Sequence, residues 1–203
     1  FTPEGAAALS YLQGRGLNAK IIRHFGLGCA PNRWDGLRRH MRQKGYSEAE
    51  LVNANLARRS DKNGRTSCYD NFRNRMMIPI IDLRGNVIAF GGRVLDDAKP
   101  KYVNTSDTLV YKKSQAIFAL NFAKSANQGK LILAEGYMDV IAYHQAGFTN
   151  AVACLGTALT REQARLLARY ADEVILSYDA DGAGQEATRR AIGIFNEIGM
   201  KLR

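Results

Sequence analysis

The chain has 203 residues, 46% hydrophobic and 24% charged, with 29 Lys+Arg against 19 Asp+Glu and a formal net charge of +10. That length allows one large domain or two small ones, and the apolar share is ample for a buried core, which excludes a wholly disordered chain. No apolar run reaches the roughly 18 residues of a membrane helix and no basic-then-apolar leader opens the chain. Three scattered cysteines (Cys29, Cys68 and Cys154) speak against a disulfide framework and against a cysteine zinc site, so a cytoplasmic protein is expected.

In chain order, Thr2-Pro3 reads as a cap with proline at the first helical position, the helix running to Gly14. Asn18 starts a second short helix that stops near Gly26, and Asp35 to Lys44 suit a basic helix closed by Gly45. Ser47-Glu48-Ala49-Glu50 fits a capping box leading into Leu51–Leu56. Asp61-Lys62-Asn63-Gly64 is a turn between extended segments, and Met76–Leu83 with Val87–Leu95 form a hairpin around Arg84-Gly85-Asn86. The first half is therefore expected to be α+β.

From residue 114 the rhythm alternates. Ser114–Ser125 is helix-like, with Ile117, Leu120 and Lys124 at helical spacing. Leu131–Ala134 is an apolar strand, Asp139–Gln145 a helix ending at Gly147, and Ala151–Leu155 a second apolar run. Thr160 caps Arg161–Tyr170, Val174–Tyr178 is a strand, and Ala183–Ile198 a further helix. Continuously apolar strands alternating with helices imply a mostly parallel sheet covered on both faces. The whole is expected to be α/β, a basic α+β part followed by that sheet.

Charge divides along the same line. Residues 1–113 hold 20 Lys+Arg and 10 Asp+Glu, whereas residues 114–203 hold nine of each. The entire excess lies in the first half, and a basic patch attracts polyanions because releasing counterions from phosphates drives association. Any single Lys or Arg is better read as a solvated surface residue; the segment as a whole points to nucleic acid or nucleotide phosphate.

Ligands of an open parallel sheet sit beyond the carboxyl ends of its strands. There the two apolar strands run into Glu135 and Asp179, with Asp181 two residues on and Asp139 on the first turn of the next helix. Carboxylates this close raise one another's pKa, and a divalent cation relieves the conflict. A helix cap explains Asp139 at least as well. A calcium loop over Asp179–Gly184 fails because Ala183 and Arg190 stand at ligand positions. The GxGxxA match at Gly182–Ala187 is weak, since Asp179 and Asp181 would repel a pyrophosphate. An aspartate-nucleophile phosphohydrolase is the enzymatic runner-up, with Ala183 where Thr or Val is normal. His24, His40 and His144 have no ligand spacing, and Trp34 is left to core or rim.

Several ordered motifs carry a resemblance. Glu135-Gly136-Tyr137-Met138-Asp139-Val140, Leu155-Gly156-Thr157 and Asp179-Ala180-Asp181-Gly182-Ala183-Gly184 resemble the successive motifs of a Toprim domain. Asn71-Phe72-Arg73-Asn74-Arg75-Met76-Met77-Ile78-Pro79-Ile80, Gly91-Gly92-Arg93-Val94-Leu95 and Pro100-Lys101-Tyr102-Val103-Asn104 are similar to the basic motifs of bacterial replicative DNA primase of the DnaG type. The likeness covers nearly the whole chain. The sequence departs from the family at Asn71, where Arg is common, and at Ile117-Phe118-Ala119, where Leu-Tyr-Gly is usual. A third acidic motif, the zinc module and the helicase-binding domain are absent, which implies a fragment whose activity alone the sequence leaves open.

The resemblance implies a basic N-terminal subdomain over residues 1–125 and an incomplete Toprim domain over 126–203. It implies synthesis of short RNA primers on single-stranded DNA for replication, by metal-assisted nucleotidyl transfer. Glu135, Asp139, Asp179 and Asp181 are the implied catalytic carboxylates. Glu135, Asp179 and Asp181 would hold one or two Mg²⁺, with Mn²⁺ as substitute and no zinc in this segment, and Glu135 is open to a proton-transfer role instead. Arg15, Arg73, Arg75, Arg93, Lys101 and Lys113 match nucleic-acid or nucleotide-binding positions. The implied partners are the template, ribonucleoside triphosphates, the RNA–DNA primer duplex and, through a domain absent here, the replicative helicase, at the nucleoid and not at a membrane. Rival classes are a Toprim nuclease or topoisomerase fragment and a non-catalytic nucleic-acid binder.

Overall fold

Pro3–Gly5 form a 3₁₀ turn that runs into α1 (Ala6–Gly14), and Asn18 starts α2 (Ala19–His24) by accepting the Ile21 N–H at 3.0 Å. The computed structural model describes residues 2–62, 65–126, 129–156 and 158–203. They divide into two units, Phe1–Pro79 with Ala89–Tyr111 and Ile80–Ile88 with Lys112–Arg203. The strand β1 (Gly28–Ala30) follows α2, and α3 (Gly36–Gln43) comes next. Its first N–H groups are capped from a distance: the buried Asp70 accepts from Leu37 N at 2.7 Å and Arg38 N at 2.9 Å. Neighbouring Asp35 instead pairs with the Arg38 and Arg39 side chains.

Helix α4 (Glu48–Asn53) opens with the expected capping box, Ser47 N–H donating to Glu50 Oε2 at 2.8 Å. A separate two-stranded ribbon joins β2 (Ala57–Lys62) to β3 (Arg65–Asp70), in register from Ala57 opposite Asp70 to Lys62 opposite Arg65. Asn63 and Gly64 of the expected turn lie outside the described residues. The strands β4 (Arg75–Ile81), β5 (Val87–Val94) and β6 (Tyr102–Asn104) complete a four-stranded sheet in the order β1-β4-β5-β6. Between β4 and β5, Asp82 accepts the N–H groups of Arg84 (2.9 Å) and Asn86 (2.8 Å), which closes the hairpin predicted there.

In the second unit, β7 (Ile117–Phe118) is followed by α5 (Leu120–Ala123), β8 (Lys130–Ala134), α6 (Tyr137–Gln145), β9 (Ala151–Cys154), α7 (Arg161–Leu167), β10 (Glu173–Ser177), α8 (Gly182–Glu197) and β11 (Lys201–Leu202). They form a five-stranded sheet ordered β11-β10-β8-β9-β7. Every pairing is parallel except β7 with β9. The helix expected over Ser114–Ser125 is therefore corrected. Ile117 and Phe118, both buried, lie opposite Cys154 and Ala153 as an edge strand, and Ala119 turns through φ +63° before one helical turn begins. Two adjacent apolar side chains met a sheet edge, and pairing there overrode helical spacing.

The core on one face of this sheet gathers Leu131, Leu133, Val152 and Val174 with Leu167 of α7 and Ala191 and Phe195 of α8. Each large apolar side chain buried in this way contributes about 1.5–3 kcal/mol. At the amino ends of the strands, the buried Glu173 carboxylate accepts from Lys130 at 3.2 Å and faces Lys201 at 3.7 Å. The carboxyl ends are not neutralised in this way.

Candidate active site

β8 and β10 run parallel with Ala134 opposite Ser177, so the two strands end level. Glu135 is the first residue past β8 and Asp179 the second past β10. Glu135 Oε2 accepts the Asp179 N–H at 3.1 Å, which brings the two predicted strand-end acids together. Asp181 caps α8, its Oδ1 accepting the Gly184 N–H at 2.8 Å. Asp139 lies in the first turn of α6, where its Oδ2 accepts the Gly136 N–H at 3.1 Å, so the capping role weighed for it is real. Thr157 of the expected motif lies outside the described residues.

All four carboxylates are exposed, and among the described residues none forms an ion pair. Glu135, Asp139 and Asp181 each use one oxygen on a backbone N–H, leaving the other for a ligand. An all-oxygen anionic donor set suits a hard cation, and Mg²⁺ is commonly held by one or two carboxylates plus water and substrate phosphates. Among the described residues no three acidic, His or Cys side chains converge into a closed cage. The residues fit Mg²⁺ as open carboxylate ligands whose shell water and substrate complete, not as a preformed protein-only site.

A cavity of about 410 Å³ opens beside the acids, walled by Glu135, Cys154, Tyr178 and the Ala183 and Ala187 positions of α8. Burial pushes the Cys154 thiol up to about 12 and raises the Tyr178 phenol further, the latter also through the neighbouring Cys154 and Glu135. Both groups are held protonated near neutral pH, so neither offers a nucleophile beside the carboxylates.

The cationic residues assemble within the first unit. A cavity of about 470 Å³ is lined by Arg58, Tyr69, Asn71, Arg73, Arg75 and Lys99 among others. Arg73 and Arg75 both reach it without sharing one extended strand, since Asn74 turns through φ +50° and β4 begins only at Arg75. Arg73 lies over the Trp34 ring, 4.2 Å from its centroid, and 5.1 Å from that of Tyr69, with its Nη1 donating to the Asp70 carbonyl. Trp34 stays 66% exposed. Arg75 is only 8% exposed and donates to the carbonyls of Gly92 (3.1 Å), Pro100 (3.1 Å) and Lys101 (3.4 Å). Burial, then repulsion from Arg73, lowers its pKa. Carbonyl dipoles hold its charge without a salt-bridged carboxylate, so the pocket keeps a positive potential.

Asn71, at the position where arginine was noted as common, donates its Nδ2 to Asn55 O at 2.8 Å, while its buried Oδ1 has no partner among the described residues. Arg93 stacks on Tyr11, 4.3 Å from the ring centroid, and Arg15 follows Tyr11 by four residues at the end of α1. Lys101 is exposed, and Lys113 belongs to the second unit, its carbonyl accepting from Gln163 Nε2 at 3.1 Å. Sequence reasoning missed Trp34, Tyr69, Arg58 and Tyr11. A signal existed for two of them, because the turn expected over residues 61–64 sets Arg58 opposite Tyr69 on an antiparallel ribbon, as the ladder bears out.

A family model described as the N-terminal domain of the DNA primase catalytic core matches residues 1–124, and a Toprim-like model matches residues 132–203. The chain is 50% identical over 197 residues to DNA primase of Clostridium acetobutylicum and 51% identical over 199 residues to that of Deinococcus radiodurans. Each alignment covers 97% of this chain and 32% or 34% of the relative, so the chain spans about a third of the length of the curated relatives it matches. Among solved structures it resembles the E. coli primase catalytic core (TM-score 0.89, 38% identity, 100% of this chain and 65% of that one). It also resembles a DnaG primase catalytic domain bound to single-stranded DNA (TM-score 0.86, 39% identity, 96% and 60%). A third likeness is the RNA polymerase domain of Mycobacterium tuberculosis primase with a double-stranded oligomer carrying a 6-nucleotide overhang (TM-score 0.84, 39% identity, 94% and 62%).

Proposed function

Because the chain belongs to the DnaG-type DNA primase family, we propose that it is the part of a DNA-dependent RNA polymerase that binds template and joins ribonucleotides into short primers. Residues 1–125 would form the basic subdomain and residues 126–203 the Toprim portion. The observation that carries the reading is the Glu135 carboxylate seated on the Asp179 N–H at the level ends of two parallel strands, with Asp181 two residues on.

In the proposed reaction a primer 3′-hydroxyl oxygen bonds to the α-phosphorus of a ribonucleoside triphosphate. The bond from that phosphorus to the bridging oxygen breaks, pyrophosphate leaves, and the hydroxyl proton passes to Glu135 or to water. Such a displacement needs positioning and charge neutralisation more than covalent help. Glu135, Asp179 and Asp181, with Asp139 as a fourth carboxylate, would hold one or two Mg²⁺ or substituting Mn²⁺, which when bound neutralises charge on the phosphoryl oxygens. Arg73, with the buried charge of Arg75 behind it, gives the cationic pocket an affinity for phosphate through guanidinium hydrogen bonding and charge. The exposed Trp34 face, with Arg73 laid over the ring, offers a surface on which an unpaired base stacks.

The corresponding partners are single-stranded DNA, ribonucleoside triphosphates, the RNA–DNA primer duplex and, through another domain, a replicative helicase, all in the cytoplasm at the nucleoid. Among the described residues no helix is long and apolar enough to cross a membrane. Incorporation of labelled ribonucleotides on a single-stranded template by the full-length polypeptide tests the proposal. Cleavage of the template without incorporation would replace it with the Toprim nuclease reading.

A further inference from the structure

The Gly182–Gly184 pair, a poor match to a dinucleotide loop, has a different use. A Cβ built on Gly184 would lie 2.0 Å from the carbonyl oxygen of Asp179, 2.9 Å from its carbonyl carbon and 3.2 Å from its nitrogen. These are backbone atoms, so no side-chain rotation relieves the overlap. The same Asp179 nitrogen donates to Glu135 Oε2 at 3.1 Å, and the Gly184 N–H donates to Asp181 Oδ1 at 2.8 Å. One residue without a side chain thus touches the backbone of one acid, is capped by a second, and through that backbone reaches the third.

We propose that Gly184 is a positioning residue for the acidic rim: its bare Cα lets the Asp179–Asp181 loop fold back onto α8, which sets the spacing of Asp179 and Asp181 against Glu135. This rests on the reading of those carboxylates as metal-holding groups.

Which side yields to an added methyl is decided by packing. Helix α8 is anchored by Ala191 and Phe195, both fully buried in the sheet core, and the Thr188 hydroxyl donates to the Gly184 carbonyl at 2.8 Å. The loop is exposed and is strapped to the helix mainly by the Gly184–Asp181 bond and by Gln185 Nε2 donating to the Ala180 carbonyl at 3.1 Å. The loop moves. When the Asp179 peptide retreats, its N–H leaves Glu135 Oε2 and the acids separate, although alanine is the better helix former.

Gly193 supplies the control, since it lies on the same helix, is exposed and would have nothing within 4 Å of an added Cβ. The experiment compares Gly184→Ala with Gly193→Ala in the full-length polypeptide. It reads Mn²⁺ binding by electron paramagnetic resonance, the Mg²⁺ concentration for half-maximal primer synthesis, single-stranded DNA affinity, and amide exchange over residues 178–181.

Gly184→Ala is expected to raise both metal concentrations about tenfold or more, as loss of supporting contacts around a metal does. DNA affinity should stay unchanged, exchange at 178–181 should quicken, and excess Mg²⁺ should restore part of the activity. Gly193→Ala should match the unsubstituted protein within about twofold. Unchanged metal dependence in Gly184→Ala overturns the inference, as does a global loss of fold, which would assign the glycine to stability. If the Glu135→Gln protein keeps full activity, the metal reading itself fails; if that protein is inactive while Gly184→Ala is normal, only the positioning role fails.

Discussion

Glu135 and Asp179 are joined across two adjacent parallel strands by one hydrogen bond, the Asp179 N–H donating to Glu135 Oε2 at 3.1 Å. A carboxylate that accepts a backbone N–H has a fixed orientation and keeps its second oxygen for a ligand. Glu173, at the opposite end of the same sheet, is instead neutralised by Lys130 and Lys201. The molecule spends its lysines on one end of β10 and leaves the other end anionic.

Asp181 carries two separable duties, capping α8 and presenting negative charge. Asparagine caps as well as aspartate, whereas alanine loses about 1 kcal/mol of cap. Asp181→Asn is therefore expected to keep the thermal stability of the unsubstituted protein while losing most primer synthesis. Asp181→Ala should lose both. Calorimetry alongside the synthesis assay checks this, and an active Asp181→Asn protein would reduce Asp181 to a cap.

The Trp34–Arg73 stack joins an electrostatic contact to a stacking one. Arg73→Ala should weaken single-stranded DNA binding and reduce the salt slope by about 0.7 for one lost phosphate contact. Trp34→Ala should cost about 1–3 kcal/mol of binding, the usual yield of base–aromatic stacking, with a much smaller change in slope. Fluorescence anisotropy at several salt concentrations separates the two. Equal slopes in all three proteins would exclude a phosphate contact by Arg73.

Arg75 is a brace as well as a charge. Removing its head takes the charged donor from the Gly92 and Pro100 carbonyls, at about 1.5–3 kcal/mol for a hydrogen bond to a charged group. Arg75→Ala should therefore lower the melting temperature by several degrees, whereas the half-buried Arg73→Ala should change stability by about 0.5 kcal/mol or less. Gly92 belongs to the same arrangement, because a Cβ there would stand 2.8 Å from Phe72 and 3.0 Å from Arg75.

The Glu173 carboxyl sits below its ordinary pKa, chiefly through the hydrogen bond from Lys130, assisted by the charges of Lys130, Lys201 and Arg203. A lowered folded-state pKa means stability present above the unfolded value of about 4.3 and lost as pH falls through the folded value. Glu173→Gln should narrow the stability difference between pH 7 and pH 3. Urea midpoints at the two pH values measure it, and an undiminished difference would remove Glu173 from the acid response.

The strands that place the acids were legible because Leu131–Ala134 and Val174–Ser177 are apolar at every core position and end abruptly in charge. Caps at Asn18, Ser47 and Thr160 were legible because they act within three residues. The edge strand at Ile117–Phe118 was not, since two residues hold no period and only their pairing with β9 distinguishes them from a helical turn. The far cap of α3 by Asp70 was hidden by a separation of more than 30 residues. Arg75 reads on paper like any basic motif residue; that its head would turn inward to three carbonyls is a tertiary fact. The same holds for Trp34, whose partner Arg73 is distant in sequence.

The most direct measurement is primer synthesis by the full-length polypeptide carrying Glu135→Gln, run beside its single-stranded DNA affinity. Glutamine keeps the size and can still accept the Asp179 N–H, so only the negative charge is lost. Synthesis should fall to background while DNA affinity stays within about threefold, in line with a change confined to the reacting centre. Synthesis at the unsubstituted rate would contradict the assignment of the acidic strand ends to the reaction.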